Sequence, residues 1–464
     1  MTTETSQPRR AYAVRFSELD RWKRPDAVFD AARLPRDWQV VRLGTIARQF
    51  SSPEKVDAAR EYKLAGVKWY AEGVFHRETV KGTDTSATHL TPLVPGALIY
   101  NRLFAWKSSF AVVQPEHVGM YVSGEFPQFE IDSTAALADF IYLFATLPKT
   151  IEAVNARSVG SAAVSRNRFK EEEFLSLEIP LPPLATQQEI VKRWHAAQFK
   201  VAETLSSADD AQHKAEANFL GQLGFDLTGT AAQPLKFFAA RFSDTLTWTA
   251  GSVFKRLTAP NVRGGKYPVA RGTDILLDVR HGCSAAPSSV RTGLEVLKIS
   301  AVTRGEFVPS ERKFAPDQPR YRKAFDLRRG DLLLCRTNGT LAYVGMSALV
   351  PEDQHNLIFP DKVIRVRVNE RVIPDFLWLV LHTPPMRAQI ELAARTAVGN
   401  YAIGGADIWK FEFPVPPLET QRELATTLTR ARAAAAKQRT RAAQLSEQLA
   451  SEIEQRILGA CDYA

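Results

Sequence analysis

Two long stretches of the chain carry apolar or small residues at the spacing of a single helix face. In residues 187–223 these positions are Ile190, Trp194, Ala197, Val201, Leu205, Ala208, Ala215, Phe219 and Leu223. In the second stretch they are Leu424, Leu428, Ala431, Ala435, Gln438, Ala442, Leu445, Leu449, Ile453 and Ile457. Such 3-and-4 spacing is typical of helices that pack on another helix. Each stretch covers about 37 residues, or roughly 55 Å as a helix. We expect the two to pack on each other, antiparallel.

The same proline-rich motif precedes both stretches. IPLPPLATQQEI occupies residues 179–190, and FPVPPLETQREL occupies residues 413–424, 234 positions later. A Pro-Pro pair cannot lie inside a helix but can fix its start. In each copy a Thr is followed three residues later by a Glu, which is capping-box spacing. Each copy therefore predicts a strand that ends in prolines, followed by a long helix.

The rest of the chain alternates between strand and helix patterns, and the order repeats. Residues 37–46 form an alternating, β-branched run that predicts the first strand, and short apolar runs broken by Gly and Pro continue to about residue 130. Residues 137–155 have helical period. In the second half, residues 274–279 predict the opening strand and residues 376–393 a mostly helical segment. GDLLLCR follows GALIYNR by the same 234 positions as the proline motifs.

A repeat of this length indicates a duplicated domain rather than a solenoid. RFSELDRW near the start has a degenerate echo, RFSDTLTW, in the second half. The predicted fold class is α+β, with two tandem α/β domains separated by two long antiparallel coiled-coil helices. The boundaries are 1–36 for an N-terminal basic segment that packs on the repeat, 37–180 for domain 1, 181–225 for the central helix, 226–412 for domain 2 and 413–464 for the C-terminal helix.

Composition narrows the class of protein. The chain has 464 residues, 45% of them hydrophobic and 24% charged, as in an ordinary globular protein. There is no apolar run of about 18 residues and no apolar signal core, so we expect a cytoplasmic protein that does not enter membranes. Its three cysteines form no CxxC pattern, so neither a disulfide frame nor a zinc site is indicated. A net charge of +9 makes a polyanionic partner plausible.

Basic, aromatic and amide side chains interleave in the predicted loops. In domain 1 the candidates are Lys68, Tyr70, Arg77, Lys81, Arg102 and Lys107. In domain 2 they are Arg280, His281, Arg304, Arg336, Asn338, Tyr343 and Lys362. Arg and Lys bind phosphates, and Arg and Asn also bond base edges. For a single residue a solvated surface is the simpler interpretation. The matching positions of Arg102 and Arg336 in the two halves favour nucleic-acid binding for the set.

No catalytic signature is present in the sequence. GxGxxG, GxxxxGK[ST], HExxH and GxSxG are all missing, and the eight histidines are scattered. Pro360-Asp361-Lys362 and Pro53-Glu54-Lys55 resemble nuclease fragments, but matches this short arise by chance. We predict no catalytic residue and no metal ligand in this chain.

The doubled motif resembles the specificity subunit of type I restriction–modification enzymes. The resemblance rests on the paired proline motifs, the Trp38-to-Gly44 opening, PGALIYNRLFAWKSSFAVV, RRGDLLLCRTNG, and the segments SVGSAAVSRNRF and AVGNYAIGGADI. It spans nearly the whole chain. Residues between 254 and 276 are additional in the second half, which also lacks the Trp-led opening, so the domains are not equivalent at their N-terminal edges.

The resemblance implies a non-catalytic DNA-recognition subunit of a multisubunit endonuclease and adenine methyltransferase, active in phage defence. Each target-recognition domain would bind one half of an asymmetric, bipartite site in double-stranded DNA, while the helices set the spacing and dock two methyltransferase subunits. Restriction/translocase subunits would join them. We expect S-adenosylmethionine, ATP and Mg²⁺ on those partners and no cofactor in this chain. The expected docking residues are Pro182, Pro183, Gln187, Pro416, Pro417 and Gln421.

Two other functions remain open. The first is a self-contained enzyme that modifies or cleaves DNA through an unrecognised active site, and the purified chain alone would then show activity. The second is an assembly scaffold, which would show no sequence preference on any DNA.

Overall fold

The computed structural model describes residues 28–158, 168–225, 260–284, 288, 290–397 and 399–458. Several features predicted above lie outside these residues, namely the basic segment up to residue 27 with RFSELDRW, the Gly-Ser-Ala segment after residue 158, RFSDTLTW and Cys461. The chain divides into two compact units. Unit 1 comprises Met1–Thr204 with Thr440–Ala464, and unit 2 comprises Leu205–Arg439. Each long helix thus contributes one half to each unit.

Unit 1 begins with a series of short strands and continues into three short helices and the first long helix. Its strands are β1 (Gln39–Arg42), β2 (Ala47–Phe50), β3 (Glu54–Lys55), β4 (Glu61–Val67), β5 (Val74–Lys81), β6 (His89–Pro92), β7 (Leu98–Tyr100), β8 (Phe110–Val112), β9 (Met120–Val122), β10 (Gln128–Ile131) and β11 (Glu178–Leu181). Its helices are α1 (Ala138–Thr146), α2 (Pro148–Arg157), α3 (Glu171–Leu175) and the first half of α4 (Leu184–Gln222).

Three sheets build unit 1. β1 pairs with β11, a four-stranded sheet has the order β2-β10-β7-β8, and a five-stranded sheet has the order β3-β6-β9-β4-β5. All three residues of β7 are buried, as expected for an inner strand covered on both faces. Phe29, the first aromatic residue of the described chain, packs edge-to-face on Phe144 of α1. The apolar core therefore joins the four-stranded sheet to α1 and α2.

Unit 2 repeats this general order of elements but has additional strands and short helices. Its strands are β12 (Val269–Arg271), β13 (Leu276–His281), β14 (Leu294–Leu297), β15 (Arg312–Ala315), β16 (Leu332–Cys335), β17 (Thr337–Asn338), β18 (Ser347–Leu349), β19 (Leu357–Ile358), β20 (Val363–Val368), β21 (Arg395–Ala397), β22 (Asn400–Ala402) and β23 (Glu412–Pro414). Its helices are α5 (Gly272–Ile275), α6 (Ser300–Thr303), α7 (Pro319–Ala324), α8 (Pro374–Leu381), α9 (Pro384–Ala393), α10 (Gly405–Ile408) and the first half of α11 (Leu418–Ile457).

The two units share one frame. In unit 2, β12 pairs with β23 as β1 pairs with β11, and a four-stranded sheet has the order β13-β20-β16-β18. Gly96 and Gly330 precede the matching inner strands, and both have left-handed φ, +82° and +87°. Only glycine adopts such a conformation without a steric cost. The backbone of the two units is consistent with the duplication predicted from the sequence.

The structure corrects the predicted opening strand of the second half. We assigned it to residues 274–279, but β12 occupies that place, and residues 272–275 form the short helix α5. The strand that follows, β13, corresponds instead to β2. Residues 137–155 and 376–393 are each two helices, because Pro148 and Pro384 start the second helix in each pair.

The additional sheets differ between the units. Unit 1 carries the five-stranded sheet, whereas unit 2 carries two three-stranded sheets, β15-β14-β19 and β17-β22-β21. The common frame therefore supports different loops and different exposed surfaces.

The long helices pack on each other within unit 1. Arg193 of α4 donates to Glu452 of α11 at 3.1 Å, and Arg456 lies 3.4 Å from Glu189. As residue numbers rise along α4, their partners on α11 fall, so the pairing is antiparallel. Ile453 and Ile457 are buried against the unit 1 core.

The same antiparallel pairing holds within unit 2. Asp209 pairs with Arg439 at 2.7 Å, and Glu216 pairs with Arg432 at 2.9 Å. The predicted seam is largely confirmed, but two of its positions are wrong, because Leu205 is 38% exposed and Gln438 is exposed as well. None of the helices in the described part of the chain is long and apolar enough to cross a membrane.

Candidate nucleic-acid interface

An exposed turn in unit 1, residues 68–73, has an unusual backbone. Tyr70 and Ala71, consecutive and neither of them glycine, have φ of 57° and 59°. Side chains disfavour this left-handed region, and such residues persist only where the surroundings impose them. Here Tyr70 N donates to Lys107 O at 2.8 Å, Ala71 N donates to Ser108 O at 2.8 Å, and the Tyr142 hydroxyl donates to Ala71 O at 2.8 Å.

This turn holds an aromatic and basic tip, formed by Lys68, Trp69, Tyr70 and Lys107. Tyr70 is 70% exposed and Trp69 is 41% exposed. The Lys107 ammonium lies 3.5 Å from the centre of the Trp69 ring, within cation–π range. Lys68 is exposed and lies 3.7 Å from Glu72. The structure thus brings three of the six predicted residues of domain 1 together on one rigid projection.

Arg77 and Lys81 lie on β5, the edge strand of the five-stranded sheet. Both are exposed, and Arg77 pairs with its neighbour Glu78 at 2.7 Å. They are placed apart from the tip turn along the strand that follows it. Their contribution to binding remains a prediction.

Arg102 has a different environment from the one we expected. Its guanidinium forms an ion pair with Glu171, and its Nε is buried without a hydrogen-bond partner. The Gln49 amide donates to the same Glu171 carboxylate at 3.2 Å. The charge of Arg102 is therefore satisfied inside unit 1, which favours a structural role for this residue.

In unit 2, four predicted residues gather at one end of the four-stranded sheet. There β13 and β16 end and β20 begins, since His281 is paired with Ile364 and Cys335 with Val363. Arg336 follows β16, and its N–H donates to Lys362 O at 2.8 Å. We call Arg280, His281, Arg336 and Lys362 the cationic edge.

The side chains of the cationic edge lie close enough to affect one another's charge. Burial and the neighbouring Arg336 charge both lower the pKa of His281 below its ordinary value. Arg336 donates to the main-chain oxygen of Asp361 at 3.2 Å, and its Nε is buried without a hydrogen-bond partner. Arg280 is exposed and lies 3.7 Å from Asp278. Positive groups thus crowd together at this end of the sheet.

The remaining candidates of unit 2 are more scattered. Asn338 lies in β17 and accepts a hydrogen bond from Thr340 N at 3.0 Å, so its oxygen is engaged locally. Tyr343 is 46% exposed in the turn Leu341–Tyr343. Arg304 is exposed at the end of α6, and its charge helps to lower the pKa of Glu311.

The predicted docking residues divide into two kinds. Pro183 and Pro417 are exposed, whereas Pro182 and Pro416 are buried. Gln187 and Gln421 are wholly buried, which contradicts a direct contact with a partner through these two side chains. The predicted capping box is also misplaced, because α4 already begins at Leu184 and its Thr lies inside the first turn.

The two buried glutamines anchor the helix starts instead. Gln187 accepts from Leu137 N at 2.9 Å and donates to Ala135 O at 3.1 Å and to Pro182 O at 2.8 Å. Its amide thereby ties α4 to the loop before α1. We call this arrangement a glutamine anchor.

Gln421 repeats the arrangement in unit 2. It accepts from Ile373 N at 2.9 Å and donates to Arg371 O at 3.0 Å and to Pro416 O at 2.8 Å. The recurrence of Gln in the motif reflects this internal bond set.

Sequence reasoning missed the acidic partners of the candidate arginines. Glu171 neutralises Arg102, and Glu125 pairs with Arg168 at 2.8 Å. The acidic run 171–173 was the available signal, but its partner lies 69 residues earlier. It also missed a buried network in unit 2, where Arg365 is 2% exposed and pairs with Asp278 at 2.6 Å and Asp326 at 2.9 Å.

Comparison with known proteins shows which proteins this chain is similar to. Residues 35–196 match the family described as the type I restriction modification DNA specificity domain. The chain is 27% identical over 265 residues to the type I restriction enzyme EcoKI specificity subunit of Escherichia coli K12, covering 57% of this chain and 52% of that protein. It is 26% identical over 148 residues to the EcoEI specificity subunit of Escherichia coli, covering 32% of this chain and 25% of that protein. The matched regions thus span about half and a quarter of these relatives.

A solved structure shows the same fold. It comes from work titled as the structural basis of complex assembly and conformational transition of the type I R-M system. The TM-score is 0.56 at 17% sequence identity, and the match covers 92% of this chain and 99% of that one. The domain match and the relatives together show that residues 35–196 carry a type I restriction modification DNA specificity domain and that the chain is similar to type I restriction–modification specificity subunits.

Proposed function

We propose that this chain is the non-catalytic DNA-recognition subunit of a type I restriction–modification complex. Each of two target-recognition domains binds one half of an asymmetric, bipartite site in double-stranded DNA. The observation that carries this proposal is a frame of one two-stranded and one four-stranded sheet that both units share, under exposed surfaces that differ. Identical surfaces would favour a palindromic site, whereas different surfaces favour two different half-sites.

The tip of unit 1 supports base contact in one half-site. Tyr70 and Trp69 offer exposed rings, while Lys68 and Lys107 offer charges for the phosphates beside them. Hydrogen bonds to Lys107, Ser108 and Tyr142 hold the main chain of this turn in its left-handed conformation. A contact surface whose backbone is already ordered loses less conformational entropy on binding.

The long helices support a role in spacing and assembly. α4 has 39 residues and α11 has 40, so each spans roughly 60 Å at the helical rise. We propose that the pair sets the gap between the half-sites. A spacer of this length is sufficient for two readers in major grooves one or more turns apart, at about 34 Å a turn.

Exposed apolar positions on the helix face support docking of two methyltransferase subunits. Phe199 of α4 is 72% exposed, which is unusual for a phenylalanine on a helix surface. Restriction/translocase subunits would join the same complex in the cytoplasm. S-adenosylmethionine, ATP and Mg²⁺ would then act on the partner subunits.

Methylation mapping tests this function. The chain is co-expressed with a neighbouring methyltransferase subunit, and adenine methylation is mapped across the host DNA. A gapped, two-part motif that is methylated only when this chain is present supports the proposal. Methylation of an ungapped site, or no methylation despite a stable complex, contradicts it. Methylation or cleavage by the purified chain alone would establish the enzyme alternative.

A further inference from the structure

The two units differ in charge at equivalent places on their shared frame. Arg102 and Arg336 are equivalent, because each accepts a main-chain hydrogen bond at 3.0 Å, from Phe169 N and from Ile403 N respectively. Two residues after these donors stand Glu171 in unit 1 and Gly405 in unit 2. The carboxylate that neutralises the first arginine thus has no counterpart beside the second.

A second pair of equivalent positions shows the same reversal. Arg102 N donates to Glu125 O at 3.0 Å, and Arg336 N donates to Lys362 O at 2.8 Å. An acidic residue in unit 1, itself paired with Arg168, is therefore replaced by an exposed lysine in unit 2.

The side chains beside Glu171 and Gly405 also differ. In unit 1, Gln49 donates to the Glu171 carboxylate at 3.2 Å. In unit 2, the main-chain N–H of Gly405 donates to Nε2 of His281 at 3.3 Å. The neighbour of Glu171 is thus a neutral amide, and the neighbour of Gly405 is an imidazole.

We propose that the cationic edge of unit 2 binds the phosphate backbone of DNA, whereas salt bridges close the equivalent edge of unit 1. The inference rests on the proposed function and identifies a contact surface within it. Arg336 and Lys362 form no ion pair among the described residues; such cations suit a polyanion, and removing them weakens binding on every sequence. Asp278 is shared between Arg280 of the edge and the buried Arg365, and Asp407 pairs with Arg395. Unit 1 contacts DNA through its tip instead.

The test places the acidic residues of unit 1 at the equivalent positions of unit 2 by substitution. Gly405→Glu places a carboxylate beside His281 and Arg336, since a Cβ there would lie 3.3 Å from His281 Nε2 and 3.3 Å from Val279 Cγ1, and φ is not left-handed. Lys362→Glu copies Glu125 at an exposed position and does not disturb packing. Lys313→Glu, at another exposed lysine of unit 2, is the control with the same charge change as Lys362→Glu.

The full-length chain is titrated onto a mixed-sequence duplex of about 40 base pairs, some four helical turns, at several salt concentrations. We expect Gly405→Glu and Lys362→Glu each to weaken binding about tenfold and to reduce the salt slope by about one to two. Lys313→Glu should change affinity less than threefold, and Glu171→Gln in unit 1 should not weaken binding.

Either of two results would overturn the inference: unchanged affinity and slope in both edge variants, or an equal loss in Lys313→Glu. Thermal unfolding shows whether Gly405→Glu is folded, and Lys362→Glu decides the matter if it is not. Failure of the proposed function has a different signature, because the wild-type chain would then show no gapped methylation motif whatever the edge variants do.

Discussion

At the residue scale, Tyr70 combines backbone strain with an exposed ring, so its stability and its function should separate. Glycine adopts the left-handed conformation freely, whereas a side chain there costs about 1 kcal/mol. We expect Tyr70→Gly to leave the free energy of unfolding unchanged or to raise it by up to about 1 kcal/mol. Part of the gain is offset because glycine makes the unfolded chain more flexible. The same variant should bind its half-site at least tenfold more weakly, since the ring is gone. Chemical denaturation and DNA titration measure the two effects.

Two further variants separate the causes. Tyr70→Ala keeps the strained Cβ and loses the ring, so it should lose binding without gaining stability. Phe199→Ala removes an equally exposed aromatic ring from α4, 72% against 70% exposed, and should leave DNA affinity unchanged. A large loss of stability in Tyr70→Gly would show that the ring packs rather than projects.

Asp326 should make the stability of unit 2 depend on pH. Burial opposes its ionisation, but Arg328, Arg367 and Arg365 together hold its pKa below the ordinary value of 3.8. Because the folded pKa is depressed, the stabilisation is fully present above about pH 4 and is lost as pH falls through the folded pKa. Asp326→Asn should therefore lose about 2 kcal/mol at pH 7, after allowance for solvent screening, and less near pH 3.

Denaturant unfolding at the two pH values checks this expectation. Glu352→Gln removes an exposed carboxylate of unit 2 and serves as the control, with less than about 0.5 kcal/mol expected. An equal loss at pH 7 and pH 3 for Asp326→Asn would assign the effect to packing instead of charge.

Residue types were predictable from the sequence, but their partners were not. Arg102 and Arg336 appeared equivalent because their spacing and local motifs match. What separates them is Glu171, which reaches Arg102 from 69 residues away. Ion pairs between residues this far apart in sequence depend on the tertiary fold. The sequence alone therefore does not distinguish a neutralised basic residue from a free one.

At the element scale, the glutamine anchors explain how each long helix is joined to its unit. Gln187→Ala leaves one buried N–H and two carbonyl oxygens without their partner, each costing about 1 kcal/mol or more. We expect a loss of about 3 kcal/mol of unfolding free energy, and a similar loss for Gln421→Ala. Gln188→Ala, one residue on and exposed, is the matched control and should change stability by less than about 0.5 kcal/mol.

Calorimetry on the full chain measures both anchors. If the anchor were a binding surface instead, Gln187→Ala would keep its stability and lose a partner. Retained stability together with lost methyltransferase association would therefore restore the docking role that we first assigned to this residue.

Periodic elements were predictable and irregular ones were not. The α11 seam follows heptad spacing, and its predicted leucines at 424, 428 and 449 are buried. By contrast, residues 274–279 hold the end of α5 and the start of β13, and a short apolar run gives no periodic signal to separate them. The capping-box error has a similar origin, since the helix begins at Leu184, directly after Pro183 and three residues before the start that a Thr186 cap would give.

At the scale of the whole molecule, one frame carries two surfaces with different chemistry. The matching sheets and glutamine anchors stabilise each unit, whereas the exposed residues at the tip and the cationic edge are free to differ between the units. Duplication of such a frame provides two independently variable surfaces on one chain. The sequence predicted the duplication from its 234-residue offset, but the surfaces had to come from the structure, since they are built by loops that share no pattern.

If the long helices set the gap between half-sites, lengthening both should lengthen the gap. Seven residues inserted in α4 and in α11, each beside the Asp209–Arg439 pair, preserve the heptad seam and the antiparallel register. Seven residues add about 10 Å of helix, close to three base pairs at 3.4 Å each. We expect the methylated motif to keep both half-sites and to gain about three base pairs between them.

Insertion into one helix alone is the control, because it breaks the pairing and should abolish methylation at any gapped site. A gap that stays unchanged with both insertions present, and with methylation intact, would mean that partner subunits rather than these helices fix the distance. A changed half-site sequence would also contradict a role in spacing alone, because it would mean that the helices contact bases. The predicted result, a longer gap between unaltered half-sites, would show that spacing and reading belong to separate parts of the chain.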